Sequence, residues 1–176
     1  MDTIELVKKA RVGDKEALLA LIMAQKLDYY RLAYTYMGNQ EDAMDAIEDM
    51  TVVLYEKMAR LKKPEAFYSW SKTILVNSCR KLLRNRKKHL CIDDMLPDSP
   101  PLLPDEFASM LQQITLAKHM SMLSDKQQEV LKLRYYLDMD YRAIAELLDI
   151  PLGTVKSRIS IGLKQLAASL GGENLG

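Results

Sequence analysis

Several side chains between positions 70 and 88 could do one kind of chemistry together. On a helix that begins at Pro64, the residues Trp70, Asn77, Lys81, Arg84 and Lys88 fall on one face, with Arg80 and Lys87 beside it. A single-stranded nucleic acid needs such a set: bases stack on the ring, base edges meet the amide, and phosphates meet the cations. Trp70 also lies on the apolar side of this helix, so core packing competes for it. A second set is acidic. Asp42, Asp45, Asp49 and Glu56 recur at helical spacing, with Glu41 and Glu48 next to them. Carboxylates so spaced repel one another slightly, and a basic partner surface would explain them; a solvated face is the alternative. Paired catalytic carboxylates are disfavoured, because no nucleophile, His or metal-ligand set accompanies them. The chain has two histidines, His89 and His119, and two cysteines, Cys79 and Cys91. The pairing His89-Leu90-Cys91, at a helix end, is poor for zinc, so neither a metal nor another cofactor is expected, and no catalytic residue is identified.

A third set lies near the C-terminus. Asp140 can cap a short helix, Tyr141 to Leu148, and Asp149-Ile150 makes a tight turn. Pro151 then opens a helix to about Leu166. Two short helices joined by so few residues have the geometry of a helix-turn-helix. Ala145 is small where the helices cross, and Ile144, Leu148, Ile150 and Val155 supply apolar contacts. Pro151–Leu166 contains three basic residues and no acid. Thr154, Lys156, Ser157, Arg158 and Lys164, with Arg142 on the preceding helix, are the candidate contacts to DNA: base edges near the start of the second helix, phosphates around it. An ordinary helical hairpin is the bland alternative. Asp149 stands where glycine often permits left-handed backbone, a conformation that Asp tolerates better than most residues.

The elements that must hold these sets read as helices. Ala43, Met44, Ile47, Met50, Leu54, Met58 and Leu61 form one apolar stripe behind Asn39, a capping residue. Phe67, Trp70, Ile74, Ser78 and Leu82 form the next. Ala17, Leu18, Leu21, Ile22, Leu32, Ala33 and Tyr36 predict one or two helices upstream. Phe107 to Met120 predicts another, and Ser124 with Gln127 forms a capping box for a helix with stripe Val130, Leu133 and Leu137. No segment sustains strand alternation.

Composition sets the frame. The 176 residues are 48% hydrophobic and 28% charged, which suits a folded globular chain. Seven glycines and six prolines are too few for a turn-rich all-β fold. The net charge of +1 conceals blocks: residues 60–90 carry 10 basic residues and 1 acidic, whereas 91–110 carry 5 acidic and none basic. A basic block attracts phosphate whatever the overall sum. Four of the six prolines lie in Cys91–Glu106, which reads as an extended acidic linker. The reading is all-α: two small helical domains, 1–88 and 107–172, joined by the Pro-rich linker 89–106. Two cysteines suggest a reducing compartment. No apolar run is long enough to span a bilayer, so a cytoplasmic location without membrane insertion is expected.

These features in this order resemble the bacterial RNA polymerase sigma factors, in particular their small extracytoplasmic-function (ECF) group. The segment YRAIAELLDIPLGTVKSRISIGLKQL (141–166) is similar to the family's sigma-four helix-turn-helix, which binds the minus-thirty-five element, and LSDKQQEVLKLRYY (123–136) to the helix before it. EDAMDAIEDMTVVLYEKM (41–58) is similar to the sigma-two helix that docks on the clamp coiled coil, and FYSWSKTILVNSCRKLLRNRKK (67–88) to the part that melts and reads the minus-ten element. The resemblance implies a core-polymerase-binding role for Asp45, Glu48 and Asp49, which stand where the family usually has Asp, Gln and Glu. It implies minus-ten roles for Trp70, Asn77, Arg80, Lys81 and Arg84, and it places 60–66 near the loop that holds a flipped base. The implied partners are core RNA polymerase, through its clamp coiled coil and flap, promoter DNA, and an anti-sigma factor. The implied activity is promoter-specific initiation driven by binding energy. Three readings compete: a stand-alone helix-turn-helix regulator, an all-α enzyme, and a helical scaffold without nucleic acid. The acidic stripe, the scarcity of catalytic groups and the charge blocks weigh against them in turn.

Overall fold

A computed structural model of the chain describes residues 2–89 and 118–173. Among these residues every regular element is helical, and the fold class is all-α. The chain divides into two compact units, Met1–Leu96 and Pro97–Gly176. The acidic stretch 91–106 and most of the helix expected from Phe107 lie outside the described residues.

The N-terminal unit contains α1 (Thr3–Arg11), α2 (Lys15–Ala24), α3 (Lys26–Met37), α4 (Gln40–Lys57) and α5 (Phe67–His89), with short 3₁₀ turns at Met58–Arg60 and Pro64–Ala66. Three helices thus precede the acidic one, where the stripe of apolar residues predicts one or two. Local chemistry sets the breaks. Gly13, at φ +100°, turns the chain after α1, and the Asp14 side chain accepts a hydrogen bond from the Ala17 amide at 3.0 Å to start α2. Gly38, left-handed at φ 78°, ends α3. Asn39 then caps α4 by accepting from the Asp42 amide at 2.9 Å. A left-handed glycine followed by an extended cap is a compact way to reverse helix direction.

The core forms where α3, α4 and α5 meet. On α4 the buried residues are Ala43, Ala46, Met50 and Leu54. Met44, expected on this stripe, is exposed, and Ala46 takes its place. The small side chains of Ala43 and Ala46 let neighbouring backbones approach closely, and a methionine there would hold them apart. On α5 the buried set is Phe67, Ser71, Leu75, Val76, Ser78 and Cys79. Trp70, Ile74 and Leu82, expected in the stripe, are only half-buried. The buried face is therefore rotated from the expected one, toward Ser71, a polar side chain that finds a partner inside.

Ser71 explains the rotation. Its hydroxyl donates to the Tyr68 carbonyl at 2.9 Å and leaves its oxygen to the buried Tyr29 hydroxyl at 2.7 Å. Burial pushes the Tyr29 phenol up to about 12. Below pH 10 it is neutral in both folded and unfolded chains. Between 10 and 12 the unfolded chain loses its proton first, so the stability contribution disappears as pH rises through that window. Tyr29→Phe is expected to cost about 1 kcal/mol at neutral pH and to flatten the alkaline loss. Thermal melts of both proteins from pH 7 upward test this, and parallel curves would reject it.

The C-terminal unit contains the helical residues 118–121, then α6 (Asp125–Tyr135), α7 (Tyr141–Leu148) and α8 (Leu152–Glu173). Ser124 and Gln127 form the expected capping box, at 3.2 Å in each direction. Val130, Leu131, Leu133, Ile144, Leu147, Leu148, Val155 and Ile159 make the core. Leu137 is half-buried and lies beyond the end of α6. His119 is buried and hydrogen-bonds to Ser169 near the end of α8, which ties the first described helical residues of this unit to the last helix.

Candidate nucleic-acid interface

The helix-turn-helix takes its shape from two aspartates. The Asp140 side chain accepts from the Ala143 amide at 2.7 Å and starts α7. Asp149 ends it in left-handed backbone, φ 53° and ψ 51°, and the Ile150 amide closes the turn on the Ala145 carbonyl at 3.0 Å. Pro151 sits just ahead of α8 rather than inside it, and its carbonyl accepts from the amides of Thr154 and Val155 at 3.0 and 3.3 Å. A proline there sacrifices no helical donor. α8 continues to Glu173, beyond the expected end near Leu166.

Val155 and Ile159 anchor α8 in the core. Lys156, Ser157 and Lys164 are exposed, and Thr154 and Arg158 are half-buried. Arg142 is exposed on α7. The first two turns of α8 thus carry two hydroxyls, an ammonium and a guanidinium that are exposed or half-exposed. Arg134 is a contributor that helical spacing does not reveal. It reaches the Met139 carbonyl at 3.3 Å and Asp138 at 3.4 Å, and its guanidinium lies 5.8 Å from the Tyr141 ring centroid. It therefore ties the end of α6 to the start of α7. Gly162 is another. A Cβ there would stand 3.0 Å from a Leu131 methyl, so glycine is what lets α8 lie close on α6. Lys132, half-buried on α6, has its pKa lowered by that burial.

On α5 the expected face exists. Asn77, Lys81, Arg84, Lys87 and Lys88 are exposed, and Arg80 is half-buried. Trp70 is half-buried, its ring 6.4 Å from that of Phe67 and tilted by 59°. Part of the indole thus packs and part stays open. Arg60, Lys62 and Lys63 are exposed just ahead of α5, which extends the positive charge toward its start.

On α4, Asp45, Glu48 and Asp49 are exposed on the side away from the core. Asp42 is not free as the acidic stripe suggests. It accepts from the Asn39 side chain at 2.7 Å and forms an ion pair with Arg86. This pair joins the first turn of α4 to the basic tail of α5, 44 residues on, and spacing within one helix cannot show it. Cys79 is buried, and Cys91 and its neighbours lie outside the described residues. Among the described residues no group of three or more His, Cys, Asp or Glu could hold a metal ion, and no helix is long and apolar enough to cross a membrane.

Comparison with known proteins agrees with this layout. Residues 21–89 match the family model described as "Sigma-70 region 2", and 115–166 match "Sigma-70, region 4". Over 167 residues the chain is 28% identical to the RNA polymerase sigma factor SigV of Bacillus subtilis, covering 95% of this chain and 99% of that one. It is 26% identical to the ECF RNA polymerase sigma factor SigW of the same organism, covering 93% and 94%. Among solved structures it resembles CnrH in complex with the cytosolic domain of CnrY, at 20% identity and TM-score 0.66 over 97% of this chain and 99% of that chain. It also resembles the sigma factor RpoE of Bartonella quintana bound to the anti-sigma factor NepR, at 22% identity and TM-score 0.60 over 85% and 94%.

Proposed function

Because the chain belongs to the sigma-70 family of RNA polymerase sigma factors, in its ECF group, we propose a division of labour among its helices. The protein is a sigma factor: it binds core RNA polymerase and directs promoter-specific transcription initiation. The region around α4 docks on the polymerase clamp coiled coil through Asp45, Glu48 and Asp49. α5 captures unpaired non-template bases of the minus-ten element, with Trp70 and Asn77 against bases and Arg80, Lys81 and Arg84 along the backbone. α8 enters the major groove at the minus-thirty-five element with Thr154, Lys156, Ser157 and Arg158, while Arg142 and Lys164 meet phosphates. The domains follow the same division: 1–88 for docking and melting, 107–172 for upstream recognition, 89–106 between them.

One observation carries this reading. Carboxylates and cations project from adjacent helices of one bundle, α4 and α5, and Asp42–Arg86 links the first turn of one set to the tail of the other. Asp45, Glu48 and Asp49 on α4 and Lys81 and Arg84 on α5 are exposed, and exposed charges of opposite sign on separate helices suit two partners better than one. The mechanism uses binding energy and no catalytic group. Unstacking a base costs a few kcal/mol, and stacking returns roughly 1–3 kcal/mol per base. Capture by α5 therefore shifts a duplex already weakened by docking toward a bubble. The protein works in the cytoplasm. An anti-sigma factor covering these surfaces is the natural regulator, by analogy with the complexed relatives.

Run-off transcription with core polymerase and a promoter library is the decisive assay. In it, Asn77→Ala is expected to reduce bubble formation, read by permanganate reactivity of unpaired thymines, several-fold more than it reduces duplex binding at the upstream element. Equal losses in the two assays would reject a base-reading role for Asn77.

A further inference from the structure

Helix α1 lies ahead of residue 21, where the family match begins, and the division of labour above gives it no task. Local chemistry nevertheless fixes its place. The Gly13 amide donates to the Ala10 carbonyl and the Asp14 amide to the Lys9 carbonyl, both at 3.1 Å. These are the paired bonds of a Schellman ending, and Asp14 goes on to cap α2. The two helices form a hairpin with a short, hydrogen-bonded turn, and α1 packs along α2. It also packs against both 3₁₀ turns between α4 and α5, Met58–Arg60 and Pro64–Ala66.

That connection needs support from outside itself. Over residues 58–66 the backbone leaves the α-helix and turns on short bonds, from the Leu61 amide to the Met58 carbonyl at 3.2 Å and from the Ala66 amide to the Lys63 carbonyl at 3.0 Å. Such turns have poorer hydrogen-bond geometry than an α-helix and order few residues each. Lys63, ahead of Pro64, is extended, as the residue before a proline must be. Packing therefore has to place the segment. Met58 and Leu61 are buried, at 2% and 6% exposure, and the buried residues of α1 are Val7 and Ala10. Arg60, Lys62 and Lys63 are exposed on the same segment. It runs directly into Phe67, fully buried, whose ring pairs with that of Trp70. A cationic stretch that leads to a half-open indole extends the surface suited to a single strand.

We propose that α1 is a positioning element for strand capture. Its face around Val7 and Ala10 braces the segment 58–66 and so sets where Arg60, Lys62 and Lys63 meet the phosphates of the unpaired strand beside Trp70. α1 itself touches no DNA. The proposal rests on the reading of α5 as the capture helix, and the test separates the two.

The holoenzyme, assembled from core polymerase and the full chain, is titrated against a labelled promoter fragment from the run-off library whose minus-ten region is left unpaired. Lys62→Ala/Lys63→Ala is expected to weaken binding about fivefold and to lower the salt slope by about 1.4, the value for two phosphates of a single strand. Val7→Ala is expected to weaken it about threefold, and the combined variant about fivefold rather than the product of about fifteenfold, because misplaced cations have less left to lose. Leu18→Ala, a buried residue of α2 on its α4 side, is expected to lower the melting temperature and to leave both the affinity and the lysine effect unchanged.

Additive losses in the combined variant would overturn the proposal, as would the same coupling to the lysines in Leu18→Ala. Unchanged affinity in Lys62→Ala/Lys63→Ala, with weak binding by Asn77→Ala, would overturn it and leave α5 as the capture helix. If Asn77→Ala also binds as the parent does, the capture reading fails with it. Should Val7→Ala not fold, Leu6→Ala, at a half-buried position of the same helix, carries the same cycle.

Discussion

Arg158→Glu is expected to abolish promoter-specific initiation while the chain's affinity for core polymerase is unchanged. Arg158 lies on the second turn of α8, half-buried, between Val155 and Ile159, which anchor the helix in the core. Half-burial leaves part of its side chain accessible to whatever α8 meets. A carboxylate there would confront phosphates or base-edge acceptors at close range, so repulsion adds to the lost contact. One good base contact is worth roughly 1–3 kcal/mol. Since about 1.4 kcal/mol is a factor of ten, initiation is expected to fall at least tenfold. Arg158→Lys keeps the charge and loses the planar fork, and is expected to fall between the two. Lys164→Ala, at an exposed position two turns on, is expected to weaken binding on all sequences alike and to lower the salt slope by about one. The measurement is transcription from a matched promoter and from one with its upstream element scrambled. An unchanged preference between these templates in Arg158→Glu would mean that α8 is not the reading helix.

The second large effect is expected at the other end of the chain. Asp45→Lys/Asp49→Lys replaces two exposed carboxylates by cations on one face of α4. Neither residue contributes to the core, so folding is expected to change by no more than about 0.5 kcal/mol. Against a basic partner the change removes two attractions and adds two repulsions, and affinity for core polymerase is expected to fall by more than tenfold at low salt. Asp42 is deliberately left in place. It accepts from Asn39 and pairs with Arg86, so its loss would disturb the junction of α4 with α5 and confuse docking with folding. A double variant that binds core polymerase as the parent does would show that the carboxylate face is not the docking surface.

The amino-acid sequence by itself determined what depends on neighbours within a few residues. Asn39, Ser124 and Asp140 are capping residues because a short polar side chain can reach an amide three positions on, and each does so. The tolerance of Asp149 for left-handed backbone is likewise a property of one residue, and the turn of the helix-turn-helix follows from it. The cationic face of α5 and the acidic face of α4 were legible because helical periodicity is regular and most of these charges lie on the solvent side.

The tertiary structure decided which side of each helix is inside. Met44 and Ala46 are both apolar, and only the close approach of the neighbouring helices selects the smaller one. The buried face of α5 turns toward Ser71 because Tyr29, 42 residues earlier, supplies the partner for its hydroxyl. Arg86 draws Asp42 out of the acidic stripe for the same reason: a partner distant in sequence becomes a neighbour in space. Gly162 reads as an unremarkable glycine until Leu131 is seen against it. A groove between α2 and α4 has no signature in either helix alone. It is lined by Leu19 on one helix and by Val52 and Tyr55 on the other, which are left outside when the core closes over Leu21 and Leu54. Periodicity within one helix fixes the relative bearing of its side chains, and only packing against other helices fixes the absolute one.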